Sequence, residues 1–280
     1  MKATYLPLVG LIVAAAISLN QNAMANPSMV DLGTARDFAV LAGSTVIDVP
    51  GSSTIVTGNV GLYPGTAIGL TASQVLGGTI YAAGTGSDGL LNGAKNDLTI
   101  AYNDAALRPV DVDYGVVDNQ LGGAGTLFSG VYRFGHAATA NLIGTLTLDA
   151  QGDSNSVWIF QATSDLITGS NSTVDLINGA QACHVFWEIG SSATLGTNTE
   201  FVGTIMADQS IALQTGTTLD GRALARIAAV TLDHNTITKP VCNGPTVPPT
   251  TVPDGGSTLL LLGSGLATLL VFSRRLLSLV

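Results

Sequence analysis

A leucine followed by a short polar run recurs through the second half of the chain, as "LITGSN" at 166, "LGTNTE" at 195, "LQTGTT" at 213 and "LDHNTI" at 232. Three of these runs are followed by a second apolar piece, "VFWEIG" at 185, "VGTIMA" at 202 and "DGRALA" at 220. The last three leucines stand 18 and 19 residues apart, and the earlier spacing is longer and irregular. A period near ~20 residues built from short strands and turns is that of a solenoid. Each coil cannot bury its apolar side alone, so neighbours stack into one continuous core. "STIVTGNVGLYPG" from Ser53 fits the same unit. The repetition therefore predicts a mainly β fold, a β-helix in preference to a sandwich.

One segment breaks the pattern. "SDGLLNGAKNDLTIAYNDAALRP" carries Leu90, Leu91, Ala94, Leu98, Ala101, Tyr102 and Ala105 at the three-to-four spacing of a helical face. Ser87 or Asp88 can cap its start and Arg108-Pro109 ends it, which predicts a helix over about 88–107 packed along the side of the coils.

Both termini read as processing segments. Met1-Lys2, the apolar run Leu8 to Leu19, and small residues at Ala23 and Ala25 make residues 1–25 a secretory signal, cleaved before Asn26. The body then runs over 26–243. Outside the cytoplasm its two cysteines, Cys183 and Cys242, can pair. Two separate buried thiols are the alternative. Residues 244–256 form a Pro/Thr linker that cannot pack a core. Residues 257–280 hold an apolar run ending in Arg274-Arg275, marginal in length for a membrane span.

The chemistry of enzymes is hard to find. Among 280 residues, His136, His184 and His234 show no ligand spacing, so no metal site is expected. Cys183 beside His184 would face opposite sides of a strand. "GDSN" from Gly152 reads as a polar turn, and neither a phosphate loop nor a dinucleotide fingerprint is present. A net charge of -9, with no Lys/Arg cluster in the middle of the chain, excludes nucleic acid as a partner. No cofactor is expected.

What repeats is hydroxyl. Aligned on leucine, Thr168, Thr197 and Thr215 take one position, and Ser170, Thr199 and Thr217 the position two residues on. Two residues apart on a strand means the same face, so stacked coils would form rows of hydroxyls about 4.8 Å apart. A second row, Thr147, Thr194 and Thr231 beside Ala212, is the alternative surface, and the sequence leaves open which row faces outward. His234 interrupts the first array.

Five stretches carry a family resemblance: "DLGTARDFAVLAGSTV" from Asp31, "GNVGLYPGTAI" from Gly58, "LTLDAQGDSNSVWIFQ" from Leu146, "INGAQACHVFWEIGSSATLGTNTEFVGTIMA" from Ile177 and "DGRALARIAAVTLDHNTIT" from Asp220. Together they resemble the microbial ice-binding (antifreeze) proteins. The resemblance implies an irregular right-handed β-helix, triangular in section, with one long α-helix alongside. It also implies a flat face that adsorbs to ice, no enzymatic activity and no cofactor. Some members carry a T-A/G-x-T/N pattern on that face. Here "TGSN" (Thr168 to Asn171, through Ser170) and "TGTT" (Thr215, Thr217 and Thr218 around a glycine) match it. "TNTE" departs through Asn198 and Glu200, although Thr197 and Thr199 remain, and "HNTI" departs further, keeping Thr236. Moderate activity is the expectation. "VPDGGS", the apolar run and the basic end resemble exosortase-type sorting signals, which implies a cut tail and delivery to the cell surface or extracellular matrix. A plain membrane anchor is the alternative there, the apolar helix otherwise visiting the membrane only in transit.

The reading that follows is a secreted, surface-displayed protein with ice and ordered water as partner, inhibiting ice growth or recrystallisation. Two rivals are an adhesin or matrix protein with the same fold, and a polysaccharide-active β-helix enzyme. The enzyme would need a groove of paired acids and basic residues, for which only Arg222 and Arg226 lie near each other.

Overall fold

The computed structural model describes residues 26–115, 121–134 and 139–242. The expected signal segment, linker, sorting motif and C-terminal apolar run lie outside them, as does His136. Among the described residues no helix is long and apolar enough to cross a membrane.

Residues whose inward and outward positions alternate make short strands that turn a corner every few residues. The first coil consists of β1 (Phe38–Ala42), β2 (Thr45–Asp48) and β3 (Ile55–Thr57). The second has β4 (Asn59–Leu62), β5 (Ala67–Ile68) and β6 (Val75–Leu76), and β7 (Ile80–Ala82) leads to helix α1 (Asp88–Leu107). After the helix come β8 (Val112–Asp113) and β9 (Thr126–Leu127), then β10 (Gly130–Phe134), β11 (Ala140–Leu142) and β12 (Thr145–Asp149). The next coil is β13 (Trp158–Ala162), β14 (Leu166–Thr168) and β15 (Thr173–Ile177). The remaining strands are β16 (Val185–Ile189), β17 (Ala193–Leu195), β18 (Glu200–Ala207), β19 (Ile211–Leu213), β20 (Thr218–Ala225), β21 (Val230–Leu232) and β22 (Thr236–Thr238).

All pairings are parallel, and they sort into three faces. A helix-covered face runs β8-β10-β13-β16-β18-β20-β1-β4-β7. A mixed face runs β11-β14-β17-β19-β21-β2-β5. A threonine face runs β9-β12-β15-β18-β20-β22-β3-β6. Strands β18 and β20 belong to two faces because they bend at Gly203 and Gly221. Gly203 has φ 107°, and a Cβ on Gly221 would lie 1.9 Å from the Gly203 carbonyl oxygen, so this corner admits only glycine. Three faces around one core give the triangular coil that the resemblance implied.

The stacking order departs from the chain order. β1 pairs with β20 on one side and β4 on the other, so the first coil sits between the last coil and the second. The helix then carries the chain back to the far end, where β8 begins the run that returns to β20. Its 20 residues span about 30 Å, most of the ~38 Å that nine stacked strands occupy. The coil length is uneven: Thr204 and Arg222 are neighbours 18 residues apart, Arg133 and Gln161 neighbours 28 apart.

Inward residues fill one core. In one register row it passes from aromatic to small, Tyr132–Phe160–Trp187–Ile205–Ala223–Val40. Phe160 and Trp187 stack at 4.0 Å. The helix buries Leu91, Ala94, Leu98, Ala101 and Ala105 against Phe38, Leu41, Ile159, Phe186, Met206 and Leu224. Leu90 remains exposed and Tyr102 half-buried. Ser87 is the N-cap residue but makes no side-chain cap bond, while the Asp88 carboxylate accepts from the Gly84 N–H. Gln161 donates to the carbonyls of Ala105 and Arg108, satisfying the helix end from the sheet.

Cys183 and Cys242 form a disulfide with Cα atoms 5.6 Å apart. Both line a cavity of about 370 Å³ together with Met29 and Val30. Cys183 and His184 lie in a 3-10 turn, Ala182–His184, and not on a strand. With its sulfur bonded to that of Cys242, Cys183 offers neither a nucleophile nor a thiolate ligand to the neighbouring His184, whose ring burial lowers toward the neutral form.

Candidate functional site

The helix covers one face, which leaves the mixed face, the threonine face and the corner between them. At that corner five coils turn through a left-handed residue: Gly144, Asn171, Asn198, Gly216 and His234 all have positive φ. Glycine and asparagine suit that conformation. After Asn171, Asn198, Gly216 and His234 the next residue points inward, while Thr145 after Gly144 is exposed. Ser172, Thr199, Thr217, Asn235 and Thr54 are each 0% exposed and form a polar ladder inside the corner. Ser172 donates to the Leu142 carbonyl at 2.9 Å, Thr217 to the Gly196 carbonyl at 2.9 Å, and Asn235 to the Gln214 carbonyl at 2.9 Å.

Three of the predicted surface threonines therefore belong inside. Thr168, Thr199 and Thr217 are buried, and a buried hydroxyl cannot touch an external partner. Thr168 pairs with Leu142 and stands in the inward row that continues at Leu195, so the leucine alignment displaced it by two positions. Its hydroxyl meets that of Thr199 at 2.8 Å and accepts from the Gly196 N–H at 2.8 Å. The outward corner row is Ser170, Thr197 and Thr215, of which Thr197 is half-buried, with Asn171 beside it in its left-handed turn. In the next coil Asp233 takes this position, because the corner after Leu232 is one residue shorter than that after Leu213. Asp233 accepts from the Thr215 hydroxyl and contacts His234 Nδ1 at 2.7 Å. The Thr215 bond, and then the His234 contact, hold the Asp233 carboxyl below its usual range.

On the threonine face the strands point two rows outward. The first contains Thr145, Thr173, Glu200, Thr218, Thr236 and Ile55 in register. The second contains Thr126, Thr147 and Asp175 on β9, β12 and β15, and Val202, Asp220, Thr238, Thr57 and the exposed Leu76 from β18 to β6. The inward partners Leu146, Val174, Phe201, Leu219 and Ile237 are buried, which fixes the register of the hydroxyls. Thr218 and Thr236 lie here and are exposed. Glu200 and Asp220 border a hollow of about 420 Å³ that also touches Thr218, Thr236 and Thr238. Partial desolvation by its neighbours raises the Asp220 carboxyl above its usual range although the side chain reaches solvent, and Arg222 partly offsets it.

Thr194 and Thr231 are on the other uncovered face. Thr194, Ala212 and Thr231 are direct neighbours, as the second predicted row required, but Thr147 lies on the threonine face and not with them. Ile167 and Ile47 flank this trio and are 43% and 45% exposed, so the row is uneven in height. Thr126, Thr145, Thr173, Thr238 and Thr57 were not singled out from the sequence. The period-two alternation of "TLT" at 145 and "TIT" at 236 was the signal that could have found Thr145 and Thr238.

Arg222 and Arg226 share no groove: Arg222 borders the cavity beside the disulfide, and Arg226 does not. Arg222 is 7% exposed and donates to the Arg36 carbonyl, and burial lowers its guanidinium to about 10. Arg226 pairs with Asp208 at 2.5 Å and lies 4.4 Å from the centre of the Tyr102 ring.

A family model described as ice-binding-like matches residues 40–238, and a second, described as the VPDSG-CTERM motif, matches residues 251–276. The chain is 42% identical over 245 residues to an ice-binding protein of Nostoc sp. (strain HG1), covering 87% of this chain and 86% of that one. It is 37% identical to an ice-binding protein of Colwellia sp, covering 83% and 92%. The crystal structure of an ice-binding protein from the Antarctic ascomycete Antarctomyces psychrotrophicus superposes with a TM-score of 0.69 at 37% identity, covering 75% of this chain and 98% of that one. None of these similarities points to an adhesin or to a polysaccharide enzyme.

Proposed function

The chain belongs to the ice-binding-like family, and on that premise we propose that it adsorbs to ice through the threonine face. What supports this is a parallel sheet that no helix among the described residues covers and whose two outward rows are rich in threonine in register. Neighbouring threonines along a row stand about 4.8 Å apart and the rows about 6.8 Å apart. Each threonine offers a methyl group, which water cages, and a hydroxyl, which joins the cage by hydrogen bonds. The stacked core holds the grid rigid, so little ordering remains to be done on adsorption. Ice between adsorbed molecules must then bulge, and a curved front grows less readily than a flat one. The outward corner hydroxyls of Ser170, Thr197 and Thr215 extend the same surface.

The matched C-terminal motif suits a secreted or cell-surface protein, where the ice it meets is extracellular. Display in the matrix after removal of the tail is the finer form of this reading. Thr218→Tyr puts a bulky ring on the threonine face, and Thr231→Tyr puts one on the mixed face. We expect the first to weaken ice adsorption about tenfold, the equivalent of ~1.4 kcal/mol, and the second to leave it unchanged. Recrystallisation inhibition and thermal hysteresis at matched concentration measure both. The reverse pattern would move the interface to the mixed face.

A further inference from the structure

We infer that Glu200, flanked by Asp175 and Asp220, is the position that limits the strength of ice adsorption. This rests on adsorption through the threonine face. Glu200 is the third member of the row Thr145–Thr173–Glu200–Thr218–Thr236, the one charged residue among five in register. Asp220 is the register partner of Val202, two residues along β18 from Glu200, and Asp175 stands two residues along β15 from Thr173, the partner of Glu200. Both Glu200 and Asp220 are exposed, and no cation is paired with Glu200 among the ion pairs of the described residues.

A carboxylate in liquid water is stabilised by waters that reorient around it. An ice lattice fixes those waters and excludes counter-ions, so a carboxylate brought against it loses solvation without a compensating partner. Shape adds to charge. The hollow beside Glu200 and Asp220 interrupts the sheet surface where the two rows should be most regular, at the middle coils. Threonine at 200 would make five consecutive threonines in one row. It would also suit the strand, since β-branched residues favour it.

The test compares wild type, Glu200→Thr, Glu200→Gln and Thr218→Tyr, with thermal unfolding run on each to check the fold. Thermal hysteresis and recrystallisation inhibition are read at equal concentration. Glu200→Thr is expected to raise hysteresis about twofold or more, and Glu200→Gln, which removes charge at constant size, to raise it less. Should Glu200→Thr fail to fold, Glu200→Gln alone decides: any rise supports the inference. Equal or lower activity in folded Glu200→Thr and Glu200→Gln, with Thr218→Tyr impaired, overturns the role of Glu200 and leaves the face intact. Full activity in Thr218→Tyr overturns the face itself.

Discussion

Thr168 holds the place of a leucine. Its neighbours in the inward row are Leu142 and Leu195, and its hydroxyl is tolerated there only because Thr199 and the Gly196 N–H meet it. The same holds in four successive coils of the corner, where Ser172, Thr199, Thr217 and Asn235 each bond a carbonyl of the coil before. Thr217→Val keeps the branched shape but removes the hydroxyl bond to the Gly196 carbonyl, which keeps only the Thr199 N–H. We expect it to cost about 0.5–1.5 kcal/mol of stability, measured by denaturant unfolding, with ice activity per folded molecule unchanged. An equal loss of ice activity would mean that the ladder also shapes the surface. The family's T-A/G-x-T/N pattern led to Thr218 and Thr236, and the second row to Thr194 and Thr231, all of which point outward, although the sequence left open which row did so. Their distribution over two faces was not legible, because corner lengths differ from coil to coil. The corner from Leu142 to Thr145 is shorter than that from Leu195 to Glu200, so counting from leucine mixes inward and outward threonines.

The helix was the most legible element, since Leu91, Ala94, Leu98, Ala101 and Ala105 repeat at helical spacing and are all fully buried. What fastens it was not, because its polar partners come from distant coils. Lys95 donates to the carbonyls of Ala225 and Arg226 at 2.7 and 2.5 Å, and Thr34 donates to Asp97 from backbone and side chain. Burial, and then the charge of Arg226, lower the Lys95 ammonium from 10.5 to about 8. The native state thus releases this proton before the unfolded chain does. Stability contributed by the site rises with pH between about 8 and 10.5, and below that window the charge is carried at a cost. The neutral amine keeps two protons, enough for both carbonyls. Lys95→Met removes the titration, so the difference in melting temperature between wild type and variant should grow across that window. Parallel curves would refute the linkage.

At the scale of the molecule, the first coil lies between the last and the second, so the solenoid is completed only when sequence-distant strands meet. The period of the leucines announced coils but carried no information on this order, since every coil presents a similar edge. Long-range closure makes the fold depend on whatever holds the last coil in place. The Cys183–Cys242 bond does so across 59 residues. Replacing both cysteines by serine should lower stability by about 2–4 kcal/mol, seen as an earlier guanidinium midpoint that reductant no longer shifts. The cavity shared by Met29 and Cys242 has a consequence of its own. The folded body takes in its chain and releases it at one spot, as a bead does its thread. Such a body can be spliced into a loop of a larger host, or strung in copies, with both connections made at that one spot, so each bead in the string would keep its threonine face bare.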